Sequence, residues 1–344
     1  MKLKVVLGMS GGVDSSVAAA LLTKQGYEVL GVTMQIWEND QELAIADAQT
    51  VAKKLNIEHR VLDFRKIFKE KIIKYFTDEY LIGKTPNPCI ACNHEIKFGE
   101  LLDYALSIGA DFVATGHYAK IVKENDRYLL KKSSSQNKDQ TYPLYHLTQK
   151  QLAHILFPLA NYEKTEVRKM ATDLDLAVAN KSDSQDICFV TNQNYSSFIE
   201  KETGVKVQEG NFVDKSGNIL GKHRGIYNYT IGQRKGLGIA TGKPIFISKI
   251  DATKNEIVLG DEEDILSKSL IAKKLNFIPF DKLEKEILAK VKIRYGAREV
   301  PARIFPQGLN EVEVVFDQPQ RAVTAGQSVV FYQGDLVLGG GVIC

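Results

Sequence analysis

The first 115 residues alternate short apolar runs with segments of helical periodicity. Residues 3–7 (LKVVL) form an apolar run before a glycine, and apolar positions from Val13 to Leu21 then recur at helical spacing. The same alternation predicts further strands at 28–36, 57–63 and 111–115, and helices near 41–55, 66–82 and 95–107. Strands that alternate with helices favour an α/β fold, a doubly wound parallel sheet covered on both faces. Ligands bind at the carboxyl ends of the strands in such sheets.

Beyond about residue 200 the pattern changes to short apolar runs separated by glycine, asparagine and aspartate. Examples are GNFVDKSGNILG and AGQSVVFYQGDLVLGGGV, whose turn residues predict β-hairpins. We therefore predict three domains: a catalytic α/β domain at 1–200, a small, mostly β connector at 201–264, and an antiparallel β domain at 265–344.

The composition is that of an ordinary globular protein. The chain has 344 residues, 44% hydrophobic and 25% charged, which is enough to bury a full core. No apolar run approaches the roughly 18 to 20 residues that span a bilayer, so we expect a cytoplasmic protein without a membrane partner. Residues 201–344 carry 21 Lys and Arg against 17 Asp and Glu. That surplus fits either a polyanionic partner or a solvated surface. Four cysteines are too few for a disulfide framework.

Residues 8–16 (GMSGGVDSS) join the first predicted strand to the first helix. Glycines allow close backbone approach, and the N–H groups and dipole of a helix N-terminus attract an anion. The turn is neither a Walker A loop nor a GxGxxG dinucleotide loop. A glycine-rich turn that only caps a helix is the alternative interpretation. The Ser-Gly-Gly-x-Asp-Ser string resembles the PP-loop of N-type ATP pyrophosphatases, which cut ATP between the α and β phosphates and transfer AMP to an oxygen.

That resemblance implies ATP and Mg²⁺ as cofactors. The serines and glycines of the turn would bind pyrophosphate, Asp14 would assist metal-bound phosphate, and the Met34 backbone would contact adenine. The full set of expected ATP-binding residues is Gly8, Met9, Ser10, Gly11, Gly12, Val13, Asp14, Ser15, Met34 and Gly116.

Two cysteines lie in surroundings that suggest chemistry. Cys92 follows a proline-stiffened loop (GKTPNP) and precedes a helix predicted to begin near Asn93. A thiol at a helix N-terminus beside Lys97 and His94 has its thiolate favoured, which makes Cys92 a candidate nucleophile. Cys188 lies in a polar loop (SDSQDICF) outside any core pattern. A structural role is the competing interpretation for each cysteine taken alone.

Seven strings follow one another along nearly the whole chain: TPNPxxxCNxxIKF, ATGHY, KDQ, SxDICF, GQRKGLG, TxGQ and LGGG. In this order they resemble the bacterial and mitochondrial tRNA 2-thiouridylases, which belong to the PP-loop superfamily. The resemblance implies a PP-loop domain, a small central domain and a C-terminal β-barrel. It also implies ATP-dependent 2-thiolation of the wobble uridine (U34) of tRNA, through adenylation of the uridine O2.

For the cysteines, the resemblance implies a persulfide on Cys188, received from a cysteine desulfurase or a sulfur carrier protein, and a partner role for Cys92. This chain has Asn87-Pro88-Cys89 where many members have Asn-Pro-Asp. The resulting Cys89-x-x-Cys92 pair and Cys188 would supply three thiolates to a [4Fe-4S] cluster whose fourth iron binds sulfide. Zinc, redox and packing roles compete for a lone CxxC. Both the cluster route and the persulfide–disulfide route are open at this point.

The resemblance further implies tRNA as the substrate, with Glu, Gln and Lys anticodon loops expected. The implied tRNA-binding residues are Asn87, Pro88, His117, Lys138, Asp139, Gln140, Arg234, Lys235, Arg294, Tyr295 and Gln327. Outside that family pattern each would be an unremarkable surface or strand residue. Two other functions compete: a PP-loop AMP-forming ligase or amidotransferase acting on a small molecule, and a non-catalytic RNA-binding iron–sulfur protein.

Overall fold

The computed structural model describes residues 2–37, 41–135, 138–182, 187–190, 194–240, 242–308 and 310–344. Residues 184–186 of the SxDICF string lie outside these ranges. Within the described ranges, every helix is too short or too polar to cross a membrane.

The amino-terminal domain is built around a parallel sheet. Its strands, with one hairpin, are β1 Lys4–Gly8, β2 Glu28–Gln35, β3 Glu58–Asp63, β4 Phe112–Ala114, β5 Ala119–Glu124, β6 Arg127–Lys132 and β7 Ile155–Leu156. The parallel sheet has the order β3-β2-β1-β4-β7, and β5 pairs with β6 as an antiparallel hairpin. Val6 and Val5 of β1 point into two different apolar clusters, so both faces of the sheet are covered. The predicted α/β fold is confirmed.

Helices cover both faces of this sheet. They are α1 Val13–Lys24, α2 Glu42–Leu55, α3 Arg65–Phe68, α4 Lys74–Leu81, α5 Pro88–Cys92, α6 Leu101–Ser107, α7 Gln149–Leu152, α8 Lys164–Asp173 and α9 Tyr195–Thr203. π-helical segments join α3 to α4 (Lys69–Ile73) and α5 to α6 (Asn93–Glu100). The second of these segments directly follows Cys92, the last residue of α5.

Two β units follow. The central unit has β8 Gly210–Val213, β9 Ile219–His223, β10 Phe246–Asp251 and β11 Glu256–Gly260. The last unit has β12 Leu266–Phe277, β13 Ile287–Lys292, β14 Val300–Pro306, β15 Glu311–Arg321, β16 Ser328–Gln333 and β17 Leu336–Ile343. Because β12 pairs with both β15 and β17, these strands close into a barrel. The expected C-terminal β-barrel is confirmed.

The barrel is joined to the first domain by shared structure. Strand β17 pairs with β6, so the hairpin of the first domain extends the barrel sheet. Tyr142 OH donates to Ser328 O at 2.8 Å, and Asn276 Nδ2 donates to Tyr145 O at 2.6 Å. Tyr142 and Tyr332 belong to one buried apolar cluster. The barrel is therefore fixed against the first domain at strand β6 and at the segment around Tyr142 and Tyr145.

Candidate active site

The turn between β1 and α1 wraps tightly around the start of the helix. Ser15 Oγ accepts a hydrogen bond from Ser10 N at 3.3 Å and donates one to Gly12 O at 3.2 Å. Gly11 has a φ of +65°, and a Cβ there would lie 2.3 Å from the carbonyl oxygen of Ala44. Glycine is required at that position. The turn lies at the carboxyl end of β1 and at the N-terminus of α1, which is the geometry of a phosphate site.

Groups from distant parts of the chain surround this turn. Asp14 Oδ1 accepts from Lys164 Nζ at 2.6 Å and from Tyr118 OH at 2.9 Å, while Lys138 Nζ lies 4.0 Å from Asp14 Oδ2. Lys181 Nζ donates to a carbonyl oxygen of the turn at 3.0 Å. Tyr118 belongs to the ATGHY string, of which only Gly116 and His117 are predicted site residues. No motif predicts Lys164 or Lys181 here, since only the fold brings them to the turn. Lys138, expected at the tRNA, lies beside the phosphate turn.

The remaining residues expected to bind ATP line the same edge of the sheet. A Cβ on Gly116 would lie 2.8 Å from Ser15 N, so the chain after β4 packs directly on the first turn of α1. The Met34 side chain reaches the turn as well, since a Cβ on Gly8 would lie 3.7 Å from Met34 Cε. Met9 and Val13 are buried in the core below the turn, so their side chains serve it by packing. Gly8 and Gly12 complete the backbone of the turn.

The helix that carries Cys89 and Cys92 begins earlier than the predicted start near Asn93. Asn87 Oδ1 accepts hydrogen bonds from Cys89 N at 3.1 Å and from Ile90 N at 3.4 Å, and Pro88 occupies the first helical position. Both features start a helix. Cys92 consequently ends α5 and is buried, instead of lying at a helix N-terminus.

The predicted preference for a Cys92 thiolate is wrong for the same reason. Burial raises the pKa of Cys92 to about 11, and the positive charge of Lys97 opposes this only in part. The Cys89 residue is exposed, yet the protein around its sulfur also raises the pKa of that thiol. Desolvation of a buried anion outweighs one neighbouring lysine. Both thiols are therefore protonated at neutral pH.

Cys188 lies close enough to Cys89 and Cys92 to interact with both. Burial of its sulfur, together with the smaller repulsion from the neighbouring Cys92 and Cys89, raises the pKa of Cys188 to about 12. The following residue, Phe189, is buried with Cys92 in one apolar cluster and lies 5.2 Å from the ring of Phe76, centroid to centroid. The fold thus gathers cysteines from two distant segments at one place.

Lys97 and His117 connect the thiols to the phosphate turn. The Lys97 charge acts on the pKa of each of the three cysteines and on that of His117. Burial and Lys97 lower the pKa of His117 well below its ordinary value, so its ring is neutral. His117 follows Gly116, which packs on the phosphate turn. Its Nδ1 lies 2.7 Å from Thr115 Oγ1.

In the part of the chain that the structure describes, no three side chains of His, Cys, Asp or Glu are placed to hold a metal ion. The three cysteines supply the donor chemistry of an iron–sulfur ligand set, but they do not surround a common centre in this arrangement.

The expected tRNA-binding residues fall into two groups. The first group lies around the thiols and the phosphate turn or on elements that contact them. It consists of Asn87, Pro88, His117, Lys138, Asp139, Gln140, Arg294, Tyr295 and Gln327. Tyr295 of the barrel is 49% exposed, and the charges of Asp139 and Cys89 act on its pKa. Arg234 and Lys235 form the other group, exposed on a loop of the central unit.

Several of these side chains already have internal partners. Asp139 Oδ1 accepts from Thr141 Oγ1 at 2.7 Å, Gln140 Oε1 accepts from Tyr118 N at 2.9 Å, and Gln327 Nε2 donates to Thr85 O at 2.7 Å. Tyr295, Arg234 and Lys235, in contrast, are exposed to solvent.

Comparisons with known proteins cover the whole chain. Residues 3–192 match the family model described as tRNA methyl transferase HUP domain, residues 196–261 the tRNA methyl transferase PRC-barrel domain, and residues 267–343 the Aminomethyltransferase beta-barrel domain. The phosphate turn and these three modules define an α/β nucleotide-binding enzyme of the tRNA-modifying class.

Full-length relatives identify the particular family. The chain is 57% identical to the tRNA-specific 2-thiouridylase MnmA of Acetivibrio thermocellus, over 99% of each chain. It is 56% identical to that of Clostridium beijerinckii (100% of this chain, 99% of the relative) and 55% identical to that of Clostridioides difficile (100% and 98%). The chain therefore belongs to the tRNA-specific 2-thiouridylase family.

Proposed function

We propose that this chain uses ATP to activate O2 of the wobble uridine of tRNA and then replaces that oxygen with sulfur. One observation carries the proposal: residues 114–118 (ATGHY) pack on the phosphate turn through Gly116 and present His117 to the Lys97 and cysteine group. A single base inserted at His117 would meet both an ATP α phosphate and a sulfur donor. Base-modifying enzymes take their target base out of the stack in this way.

In the first step, uridine O2 attacks the α phosphorus of ATP. The bond between the α phosphorus and the bridging oxygen breaks, pyrophosphate leaves with the electron pair, and O2 becomes an AMP ester. The glycine turn holds the phosphates through its N–H groups and the N-terminus of α1. When bound to phosphate, Mg²⁺ supplies positive charge to the leaving pyrophosphate. Asp14 is the carboxylate that would hold the metal, in exchange for Lys164.

In the second step, a Cys188 persulfide attacks C2 through its terminal sulfur, and AMP leaves with the former O2. Cys92 then attacks the Cys188 sulfur, which forms a Cys92–Cys188 disulfide and releases the thiolated base. A thiol reductant must afterwards reopen that disulfide. The apolar cluster around Phe189 supports this route, because it packs the Cys188 segment against the segment of Cys92. A cysteine desulfurase or sulfur carrier protein would load the persulfide.

Cys89 stands where, by the resemblance, many family members have aspartate, and it would add a third thiol ligand for a second route. Cys89, Cys92 and Cys188 would hold a [4Fe-4S] cluster only after their sulfurs moved to surround one centre, since the described side chains do not do so. Iron and sulfide analysis of anaerobically purified protein separates the two routes, because only the cluster route requires stoichiometric iron.

The proposed substrates are tRNAs with Glu, Gln and Lys anticodons, and the proposed location is the cytoplasm. An anticodon loop supplies an unstacked base, which is the form in which proteins read RNA sequence. Tyr295 offers an exposed ring for stacking, and Arg234 and Lys235 offer charge to the RNA backbone.

The test compares Cys92→Ser, Cys188→Ser and Cys344→Ser in an assay of 2-thiouridine formation on unmodified tRNA with ATP, Mg²⁺ and a persulfide donor. Cys344 is the matched control, because it is exposed and lies in none of the motifs that carry the family resemblance. We expect Cys344→Ser to retain full activity and the other two to lose at least 99% of it. Retained 2-thiouridine formation in both site variants would contradict sulfur transfer through Cys92 and Cys188. ATP turnover without any 2-thiouridine, even in the unsubstituted protein, would indicate a PP-loop ligase that has no use for sulfur. If the protein without substitutions releases no pyrophosphate when tRNA is added, the result would indicate a non-catalytic RNA-binding protein.

A further inference from the structure

The residue that opens the cysteine-bearing loop, Thr85, is held by both later domains. Thr85 N donates to Ala325 O at 2.9 Å, and Gln327 Nε2 of the barrel donates to Thr85 O at 2.7 Å. Thr85 Oγ1 donates to Thr230 Oγ1 of the central unit at 3.3 Å. The backbone N–H and C=O groups of Thr85 therefore both bond to the barrel, the N–H to a backbone carbonyl and the C=O to a side-chain amide.

The barrel turn that makes these bonds is shaped for close contact. Gly326 has a φ of +89°, and a Cβ there would lie 3.0 Å from Thr85 N. The turn is fixed to β17, because Gly326 N donates to Ile343 O at 2.9 Å and Ile343 N donates to Gln327 O at 2.8 Å. The contact with Thr85 is consequently made by a rigid part of the barrel.

The chain between Thr85 and the first thiol is stiff. Pro86 and Pro88 each fix φ, and Asn87 is held by the two hydrogen bonds that cap α5. A displacement of Thr85 is therefore passed on to Cys89, four residues further along, with little loss.

We propose that Gln327 is a positioning residue for the cysteine helix as well as an RNA contact. Its Nε2 holds Thr85 and so fixes Cys89 and Cys92, while its Oε1, which has no hydrogen-bond partner among the described residues, would accept from an RNA donor. The RNA half of this inference rests on the proposed function. The positioning half does not, since it concerns the protein alone. The carboxamide of Gln327 would thereby couple the docking of the anticodon loop on the barrel to the positions of the thiols.

The positioning half is tested on the free protein, without RNA, ATP or a sulfur donor. Gln327→Met keeps the side-chain length and removes the donor, Gln327→Glu keeps an acceptor in the same shape, and Gln333→Met is the control, on an exposed barrel residue. Pulses of iodoacetamide followed by peptide mass spectrometry give the alkylation rate of each cysteine. We expect both Gln327 variants to alkylate Cys89 about five-fold faster, the size that loss of one hydrogen bond gives. Cys344 and the Gln333 variant should keep the wild-type rates.

Three outcomes would overturn the inference. An unchanged Cys89 rate in both Gln327 variants, with weaker tRNA binding, makes Gln327 an RNA contact only. An equal rise in the alkylation rate of Cys344 would show that the substitution loosens the whole barrel instead of the cysteine loop alone. In the complete reaction, a higher KM for tRNA with unchanged kcat also contradicts positioning, which predicts a lower kcat at saturating tRNA. The alkylation assay does not require 2-thiouridine formation. Its result therefore tests positioning even if the proposed sulfur transfer is wrong.

Discussion

Cys89, Cys92 and Cys188 are all held as neutral thiols, because the protein around each sulfur raises its pKa. Lys97 opposes the shift at each of them. A resting enzyme with protonated thiols resists oxidation and alkylation until its substrates or sulfur donor change the site.

The acidity of Cys92 gives a direct pH test. Below its pKa the thiolate fraction rises tenfold per pH unit, so the alkylation rate of Cys92 should rise about tenfold per unit from pH 7 to 10 without a plateau. Lys97→Met removes the charge that lowers the pKa and should slow alkylation several-fold at pH 8. Lys150→Met, on the exposed side of α7, should have no effect. A plateau below pH 8, or an unchanged rate in Lys97→Met, would contradict the burial argument.

Gly11 allows a second test at the residue scale. Alanine at Gly11 would combine a φ of +65° with a Cβ 2.3 Å from Ala44 O, so the phosphate turn must shift. We expect Gly11→Ala to raise the Kd of a non-hydrolysable ATP analogue on the order of 100-fold, or about 2.7 kcal/mol, by calorimetry. Gly26→Ala is the control, since its φ of +90° is equally unfavourable but no atom lies within 4 Å. Equal affinity losses in both variants would show that the contact with Ala44 is unimportant.

At the scale of elements, α5 is a short helix that depends on its first turn. Asn87→Ala removes the side chain that accepts from two N–H groups, which costs about 1 kcal/mol of stability. We expect 2-thiouridine formation to fall several-fold, because the cap also orients Cys89. Asn87→Asp, which keeps an acceptor, should retain most of the activity. Asn194→Ala removes the cap of α9 and should cost similar stability in denaturant unfolding without the same loss of activity.

The start of α5 also shows where sequence reasoning succeeded and failed for the site. The alternation of strands and helices predicted the phosphate turn at residues 8–16, because turn and strand are adjacent in the chain. The Asn-Pro pair is an N-cap followed by a first-position proline, yet prolines and a polar sequence favoured a loop up to Asn93. The misplaced start led directly to the wrong acidity for Cys92. Lys164 could not be predicted, since its contact with Asp14 is a tertiary event, whereas Tyr118 lies in the ATGHY string and only its contact with Asp14 was missed.

At the scale of the molecule, the first domain and the barrel meet at the candidate site, and the central unit touches it through Thr230. The hairpin of β5 and β6 extends the barrel sheet, and Gln327 and Tyr295 bring the barrel to the cysteine loop. Turn residues predicted hairpins in the second half, and the family resemblance predicted a barrel. The closure through β12 and β17, and the joining of β6 to β17, depend on pairing between distant segments, which local pattern does not encode.

The central claim is that one uridine meets both the phosphate turn and the thiols. The most direct measurement uses tRNA labelled with ¹⁸O at the C2 carbonyl of the wobble uridine, with ATP, Mg²⁺ and a persulfide donor, and follows the label by mass spectrometry. Adenylation of O2 followed by sulfur attack transfers the ¹⁸O to the phosphate of AMP, one atom for each 2-thiouridine formed. Thiouridine formed with unlabelled AMP, or with ADP and ¹⁸O-labelled inorganic phosphate as products, would contradict the account.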